Sequence, residues 1–285
     1  MWWKKLHNTS TDEKHPGGVQ SIPMERSPES HKGENGKVAI VGGSRFMHGA
    51  PLFSALAAEA SGADLVFVCL PACHQEIAKT ASLNFQVHPF HEDDLKPADT
   101  ESILELLATM DSCVLGPGIM HGDQQALKAL KDIIAEAPCS LVLDASALQP
   151  DTLSLIKGKT AVLTPHMAEL ERMEVAPEDI AAQAEEAGAT IFLKGPTDFI
   201  AGPDGTVEEL TGGNAGLTVG GTGDALAGLI AGLLAQGYDS FDAARTAGTI
   251  VKQAADLLYQ DFGFAFGARG VIEQIPHLLH ALTTT

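Results

Sequence analysis

The chain has 285 residues, 45% of them hydrophobic and 19% charged, enough to bury one large core. Its 37 acidic and 18 basic side chains leave a net charge of −19, which argues against a nucleic-acid groove or an anionic membrane surface as partner. A site for a polyanionic ligand must then be built locally, and backbone amides at a helix N-terminus do this without net positive charge.

Residues 1–27 are polar, rich in Ser, Pro, His and Glu, and without apolar period, which predicts an extension ahead of a folded domain at 28–285. The first residues, Met1 to His7, lack the apolar run and cleavage site of a signal peptide. The longest apolar stretch, Ala225 to Ala235, is shorter than the roughly 20 residues that span a bilayer. A soluble, cytoplasmic protein is expected. From Val38 to Val41 a continuous apolar run ends at Gly42-Gly43, the pattern of a buried parallel strand. A helix is expected from Pro51 to Ser61, with Pro in its first turn, then a strand over Asp64–Leu70 and a helix over Glu101–Thr109. A strand over Ser112–Leu115 runs into Gly116-Pro117-Gly118, followed by a helix over Gln124–Glu136 and a strand over Leu141–Leu143 that ends at Asp144. The next strand, Thr160–Leu163, leads through Thr164-Pro165-His166 into a helix carrying Glu169. Thr190–Leu193 is a strand ending at Lys194-Gly195, and Phe199–Ala201 with Val207–Leu210 reads as a hairpin around Gly202-Pro203-Asp204-Gly205. Three helices, 222–236, 239–261 and 269–282, complete the chain.

Strands alternating with helices predict a three-layer α/β/α sandwich, mostly parallel, with an antiparallel edge supplied by the hairpin. Ligands in such folds bind beyond the carboxyl ends of the strands, where the unusual residues of this chain gather. The strongest local signal is Gly220-Gly221-Thr222-Gly223-Asp224 opening into an apolar helix. Its glycines allow close approach of phosphate to amides at the positive end of the helix. Asp224 has two readings from this pattern: a base for a hydroxyl nucleophile in phosphoryl transfer, or a plain helix cap. Neither a Walker A loop nor a G-x-G-x-x-G fingerprint is present. His166 follows a strand and Glu169 lies three residues on, a carboxylate suited either to a hydrated magnesium ion or to a solvated first turn. Lys194 ends a buried strand and could meet a phosphate. Cys69 and Cys73, followed by His74, have no second pair to complete a metal site.

Taken in order, these pieces resemble the ADP- or ATP-dependent NAD(P)H-hydrate dehydratases of the ribokinase-like superfamily. The match begins at Ser30-His31-Lys32-Gly33-Glu34-Asn35-Gly36, continues through Gly42-Gly43-Ser44, Gly49-Ala50-Pro51, Gly116-Pro117-Gly118, Asp144, Thr164-Pro165-His166 with Glu169, and Lys194-Gly195, and closes with Asn214-Ala215-Gly216 and the Gly220 loop. The resemblance implies a ribokinase-like fold and a reaction in which the ring hydroxyl of hydrated NADH or NADPH is phosphorylated and phosphate is then eliminated. With ADP as donor and Mg2+ as counter-ion, the products are NAD(P)H, AMP and phosphate. By position it makes Asp224 the catalytic base, and Ala50, Gly116, Gly118 and His166 contacts to the hydrated nucleotide. Gly221, Thr222 and Gly223 match the phosphate-holding turn. Lys194, Gly195, Pro196, Thr197 and Asp198 match the adenine-nucleotide segment. Glu169 would hold magnesium only indirectly. A homotetramer is implied, and with no epimerase domain fused, one epimer, the S form, is the expected substrate, a separate epimerase handling the other. The chain departs from the family pattern at Met47, His48, Asp64, Ser146 and Pro196-Thr197-Asp198. Two other readings share parts of this evidence. A small-molecule kinase of the same superfamily would use the same Gly223 and Asp224, and a nucleotide sensor would bind without turnover.

Overall fold

A computed structural model describes residues 26–283; the extension expected over 1–27 lies, apart from its last two residues, outside them. Nine strands form one sheet in the order β3-β2-β1-β4-β5-β6-β7-β8-β9. They are β1 (Lys37–Val41), β2 (Leu65–Leu70), β3 (Phe85–Pro89), β4 (Ser112–Leu115), β5 (Ser140–Leu143), β6 (Ala161–Leu163), β7 (Thr190–Leu193), β8 (Asp198–Ala201) and β9 (Val207–Leu210). Neighbours from β3 across to β7 pair in parallel, whereas β7–β8 and β8–β9 pair antiparallel. The expected mostly parallel sheet with an antiparallel hairpin edge is what the chain forms. Helices α1 (Gly49–Ala60), α2 (Gln75–Ala81), α3 (Thr100–Leu107), α4 (Gln124–Glu136), α5 (Thr152–Leu155), α6 (Met167–Arg172), α7 (Ile180–Ala187), α8 (Thr222–Ala235), α9 (Ser240–Phe262) and α10 (Ala268–Thr283) cover its two faces.

The continuous apolar runs follow from burial on both faces. Successive side chains point to opposite faces of a strand, so Ala39 and Val41 enter the core layer under α3, α4 and α7, while Val38 and Ile40 enter the layer under α1, α8, α9 and α10. Polar runs on the second edge gave no such signal, and β3, with α2 before it, was not anticipated; nor was α7.

One contact fixes the geometry of α8. A side chain at Gly228 of α8 would run into the Ser54 carbonyl of α1, and one at Gly232 into the Ser61 hydroxyl. The two helices therefore meet backbone to backbone, and Ser54 Oγ donates to the Asp224 carbonyl at 2.9 Å. The start of α8 is thereby pinned to α1 at Asp224. No helix among the described residues is long and apolar enough to cross a membrane.

Candidate active site

The carboxyl ends of β5, β6 and β7 and the N-terminus of α8 line a cleft of about 800 Å³. Each strand delivers one polar residue as its apolar run stops: Asp144 after β5, His166 after β6 and Lys194 after β7. All three line the cleft together with Gly221, Thr222, Gly223 and Asp224.

Gly221 adopts φ +100°, and a side chain there would strike the Phe53 ring at 2.6 Å, so only glycine serves at this turn. The first intrahelical bond of α8 runs from the Ala225 amide to the Gly221 carbonyl. The amides of Thr222, Gly223 and Asp224 are therefore left over, and none of them donates elsewhere among the described residues. Gly221 occupies the cap position, and the Asp224 carboxylate, two residues into the helix, receives no hydrogen bond among the described residues. Of the two sequence readings of Asp224, the helix cap is not what the structure shows. Burial, reinforced by the nearby Asp144 carboxylate and only partly opposed by Lys194, pushes Asp224 from its ordinary 3.8 up to about 7.

Lys194 is the cation at the centre of these carboxylates. Its Nζ lies 2.8 Å from Asp144 Oδ1 and 3.7 Å from Glu169 Oε2, and a side chain on Gly223 would come within 3.4 Å of it. Burial alone would favour the neutral amine, but Asp144 and Glu169 outweigh it and the ammonium is held above its ordinary pKa. Asp144 also accepts from the Thr164 hydroxyl at 2.8 Å, so it is oriented from two sides. His166 caps α6: its Nδ1 accepts the Glu169 amide at 3.2 Å, and the Glu169 carboxylate accepts the His166 amide at 2.9 Å. Glu169 is thus engaged in a capping box and only 6% exposed.

Not every position implied by the resemblance enters the cleft lining. Gly116 and Gly118 belong to an adjoining pair of fused turns: the Gly43 amide donates to the Pro117 carbonyl at 2.7 Å, and a side chain on Gly118 would sit 3.2 Å from Ala50 Cβ. Gly116, at φ +112°, passes so close to the Asp144 carbonyl that a side chain would collide with it. Ala50, Gly116 and Gly118 therefore lie outside the cleft lining, Gly116 against the Asp144 carbonyl and Gly118 against Ala50. Gly195, Pro196 and Asp198 line the cleft and Thr197 does not. The Asp198 carboxylate accepts the Gly195 amide at 2.8 Å and pairs with Lys252 at 3.1 Å. Lys252 was not singled out from the sequence, although a lysine inside the apolar run Ile250-Val251 to Ala254-Ala255 was the available signal.

The departures from the family pattern have local explanations at two sites. Asp64 gathers the opening segment, accepting from the Gly33 and Asn35 amides at 2.8 and 3.1 Å and from Asn35 Nδ2 at 3.0 Å. Ser146 is buried, its hydroxyl donating to the Ile119 carbonyl and meeting His121 Nδ1 at 3.0 Å.

Residues 38–277 match the family described as NAD(P)H-hydrate dehydratase. The ADP-dependent (S)-NAD(P)H-hydrate dehydratase of Cenarchaeum symbiosum is 35% identical over 271 residues, covering 92% of this chain and 94% of the relative. The bifunctional NAD(P)H-hydrate repair enzyme of Methanothermobacter thermautotrophicus is 36% identical over 93% of this chain, which spans 53% of that protein. A solved ribokinase-like superfamily protein from Enterococcus faecalis superposes with a TM-score of 0.77 at 26% identity, covering 90% of this chain and 91% of its own. A match of this extent, on a fold whose glycine-opened helix presents free amides beside a late-ionising aspartate, means that the chain belongs to the NAD(P)H-hydrate dehydratase family.

Proposed function

We propose that the protein is an ADP-dependent (S)-NAD(P)H-hydrate dehydratase, a lyase that repairs hydrated NADH and NADPH. The observation that carries the mechanism is the Asp224 carboxylate, free of hydrogen bonds among the described residues and adjacent to the amides of Thr222 and Gly223, which are likewise unpaired there. A base poised at about 7 accepts a proton from an alcohol near neutral pH more effectively than an ordinary carboxylate. As the ring hydroxyl oxygen attacks the terminal phosphorus of ADP, its proton passes to Asp224. The bond to the α-phosphate oxygen breaks and AMP leaves with the electron pair. The amides of α8, aided by the Lys194 ammonium, face the charge on the transferring phosphoryl group. Phosphate is a far better leaving group than hydroxide. The phosphorylated ring then loses phosphate from one carbon and a proton from its neighbour, restoring the double bond.

Lys194 to Asp198 would hold the adenine nucleotide, and Ala50, Gly116, Gly118 and His166 the hydrated nicotinamide. The residues suit a magnesium ion in one way only. No group of three His, Cys, Asp or Glu side chains that could hold a metal occurs among the described residues. Asp144, Glu169 and Asp224 nevertheless surround a single lysine, leaving negative charge in excess. That set fits a magnesium ion carried on the nucleotide's phosphates, with Glu169 reached through water; bound there, it would neutralise phosphate charge. A cytoplasmic homotetramer that acts on the S epimer, with a separate epimerase converting the other, completes the proposal.

The test is to incubate the protein with hydrated NADH, magnesium and either ADP or ATP while following the return of reduced-nicotinamide absorbance. Recovery with ADP, at the expense of the S epimer alone, is expected. Phosphate transfer to another alcohol without recovery would make the protein a kinase, and nucleotide binding without turnover a sensor.

A further inference from the structure

Lys252 is 4% exposed, and a lysine this deep is costly unless its ammonium is fully engaged. Its three donors meet three acceptors: Asp198 Oδ2 at 3.1 Å, the Pro196 carbonyl at 3.3 Å and the Gly212 carbonyl at 3.2 Å. Lys252 borders the cleft, but with every donor used it has none left for a phosphate. Its partners lie on two separate stretches of backbone. One is the Lys194–Asp198 turn, in which Asp198 also accepts the Gly195 amide. The other is the Gly212–Asn214 segment that precedes the phosphate-binding turn, and both stretches line the same cleft.

The second stretch is fitted to the lysine. Gly212 and Gly213 have φ of +99° and +69°, and a side chain on Gly213 would press on Lys252 Cγ at 3.1 Å, so the backbone lies directly along the lysine stem. One turn further along α9, Asp256 accepts the Gly213 amide at 3.0 Å and the Ala255 carbonyl accepts Asn214 Nδ2 at 2.8 Å. Residues 252, 255 and 256 share one helix face, and that face holds the whole segment down. The turn at 194–198 is anchored to the sheet, by the Lys194 amide on the Pro165 carbonyl at 2.8 Å and by the pairing of β7 with β8, and Lys252 ties it to α9.

We propose that Lys252 and Asp198 form a clasp that sets the spacing between the Gly195–Asp198 turn and the Gly212–Gly213 segment, and that they are thereby positioning residues for the adenine nucleotide. This rests on the reading that the nucleotide occupies that end of the cleft. The clasp governs nucleotide affinity, whereas the hydrated nicotinamide is held on the far side of Asp144 and is indifferent to it.

Lys252→Met alone strands a buried carboxylate and can fail to fold. The decisive variant is therefore Lys252→Met with Asp198→Val, which removes both charges and suits an apolar strand position. It leaves the Pro196 and Gly212 carbonyls without their shared donor and the Gly195 amide without its acceptor, so both sides of the clasp are released together. For this double variant, with thermal stability recovered to near that of the parent, KM for ADP and its calorimetric Kd are expected to rise about tenfold. KM for hydrated NADH should stay within roughly twofold. Wild-type affinity for ADP in the stable double variant would overturn the clasp, as would an equal rise in both KM values. If the parent protein binds ADP but turns nothing over, the dehydratase reading fails, while the calorimetric comparison still decides the clasp.

Discussion

A carboxylate that receives no hydrogen bond among the described residues, is largely removed from water and faces Asp144 and Glu169 ionises late, and two measurable consequences follow for Asp224. The first is kinetic. With ionised Asp224 as the proposed base, kcat should fall about tenfold per pH unit below about 7, and a profile flat down to pH 5 would remove Asp224 from the role. Asp224→Asn should lower turnover by orders of magnitude while ADP still binds, since the amides of α8 are untouched. The second consequence is thermodynamic. Raising the folded pKa above the unfolded one means that ionised Asp224 opposes folding. The loss sets in as pH climbs past 3.8 and is complete above about 7. A shift of that size corresponds to about 4 kcal/mol at most. Asp224→Asn should therefore melt higher than the parent at pH 8, and the difference should vanish near pH 4. An inactive variant more stable than its parent at pH 8 would locate the strain at this one position.

The element that presents Asp224 was legible in the sequence because its purpose is written locally: Gly220-Gly221-Thr222-Gly223 requires a turn with positive φ and an exposed amide cluster, and the apolar run after it requires a buried helix. What the sequence did not disclose is how α8 is held. At Gly228 two effects compete: alanine would add about 1 kcal/mol of helix propensity, but its methyl would meet the Ser54 carbonyl, and overpacking against backbone costs about 1–3 kcal/mol or more. Gly228→Ala should accordingly destabilise, read as a lower denaturant midpoint, and should impair turnover because Ser54 also anchors Asp224. An unchanged midpoint would mean that α1 yields freely. Strands β4 and β7 and helix α4 were recovered with their ends because they are flanked by glycine, proline or a capping aspartate; Asp123 caps α4 by accepting the Gln125 and Ala126 amides. The short α2 buries only Ala78 and so shows no apolar stripe. In β3 the exposed Gln86 and His88 interrupt the run, and α7 offers only Ile180, Ala184 and Ala187 as its buried face. Lys252 escaped notice for a different reason: three acceptors distant in sequence converge on it, and no local pattern encodes such a meeting.

Across the whole molecule the excess of 37 acidic over 18 basic side chains makes the surface repel itself, and mobile ions screen that repulsion over a Debye length of about 10 Å at 0.1 M. Added sodium chloride should therefore raise the melting temperature. A fall would show that ion pairs such as Lys131–Asp151 and Lys157–Glu186 outweigh the net charge. The two margins of the sheet are treated unlike its centre. On one side β3 leaves Gln86, His88 and Pro89 exposed, and proline cannot donate to a neighbouring strand. On the other, β9 is four residues long and carries Glu208 and Glu209 at its middle. Short, charged or proline-ended margins resist strand addition. Copies of this protein are therefore expected to meet through helices and loops, and a concentrated solution of the folded protein to resist growing edge to edge into fibres.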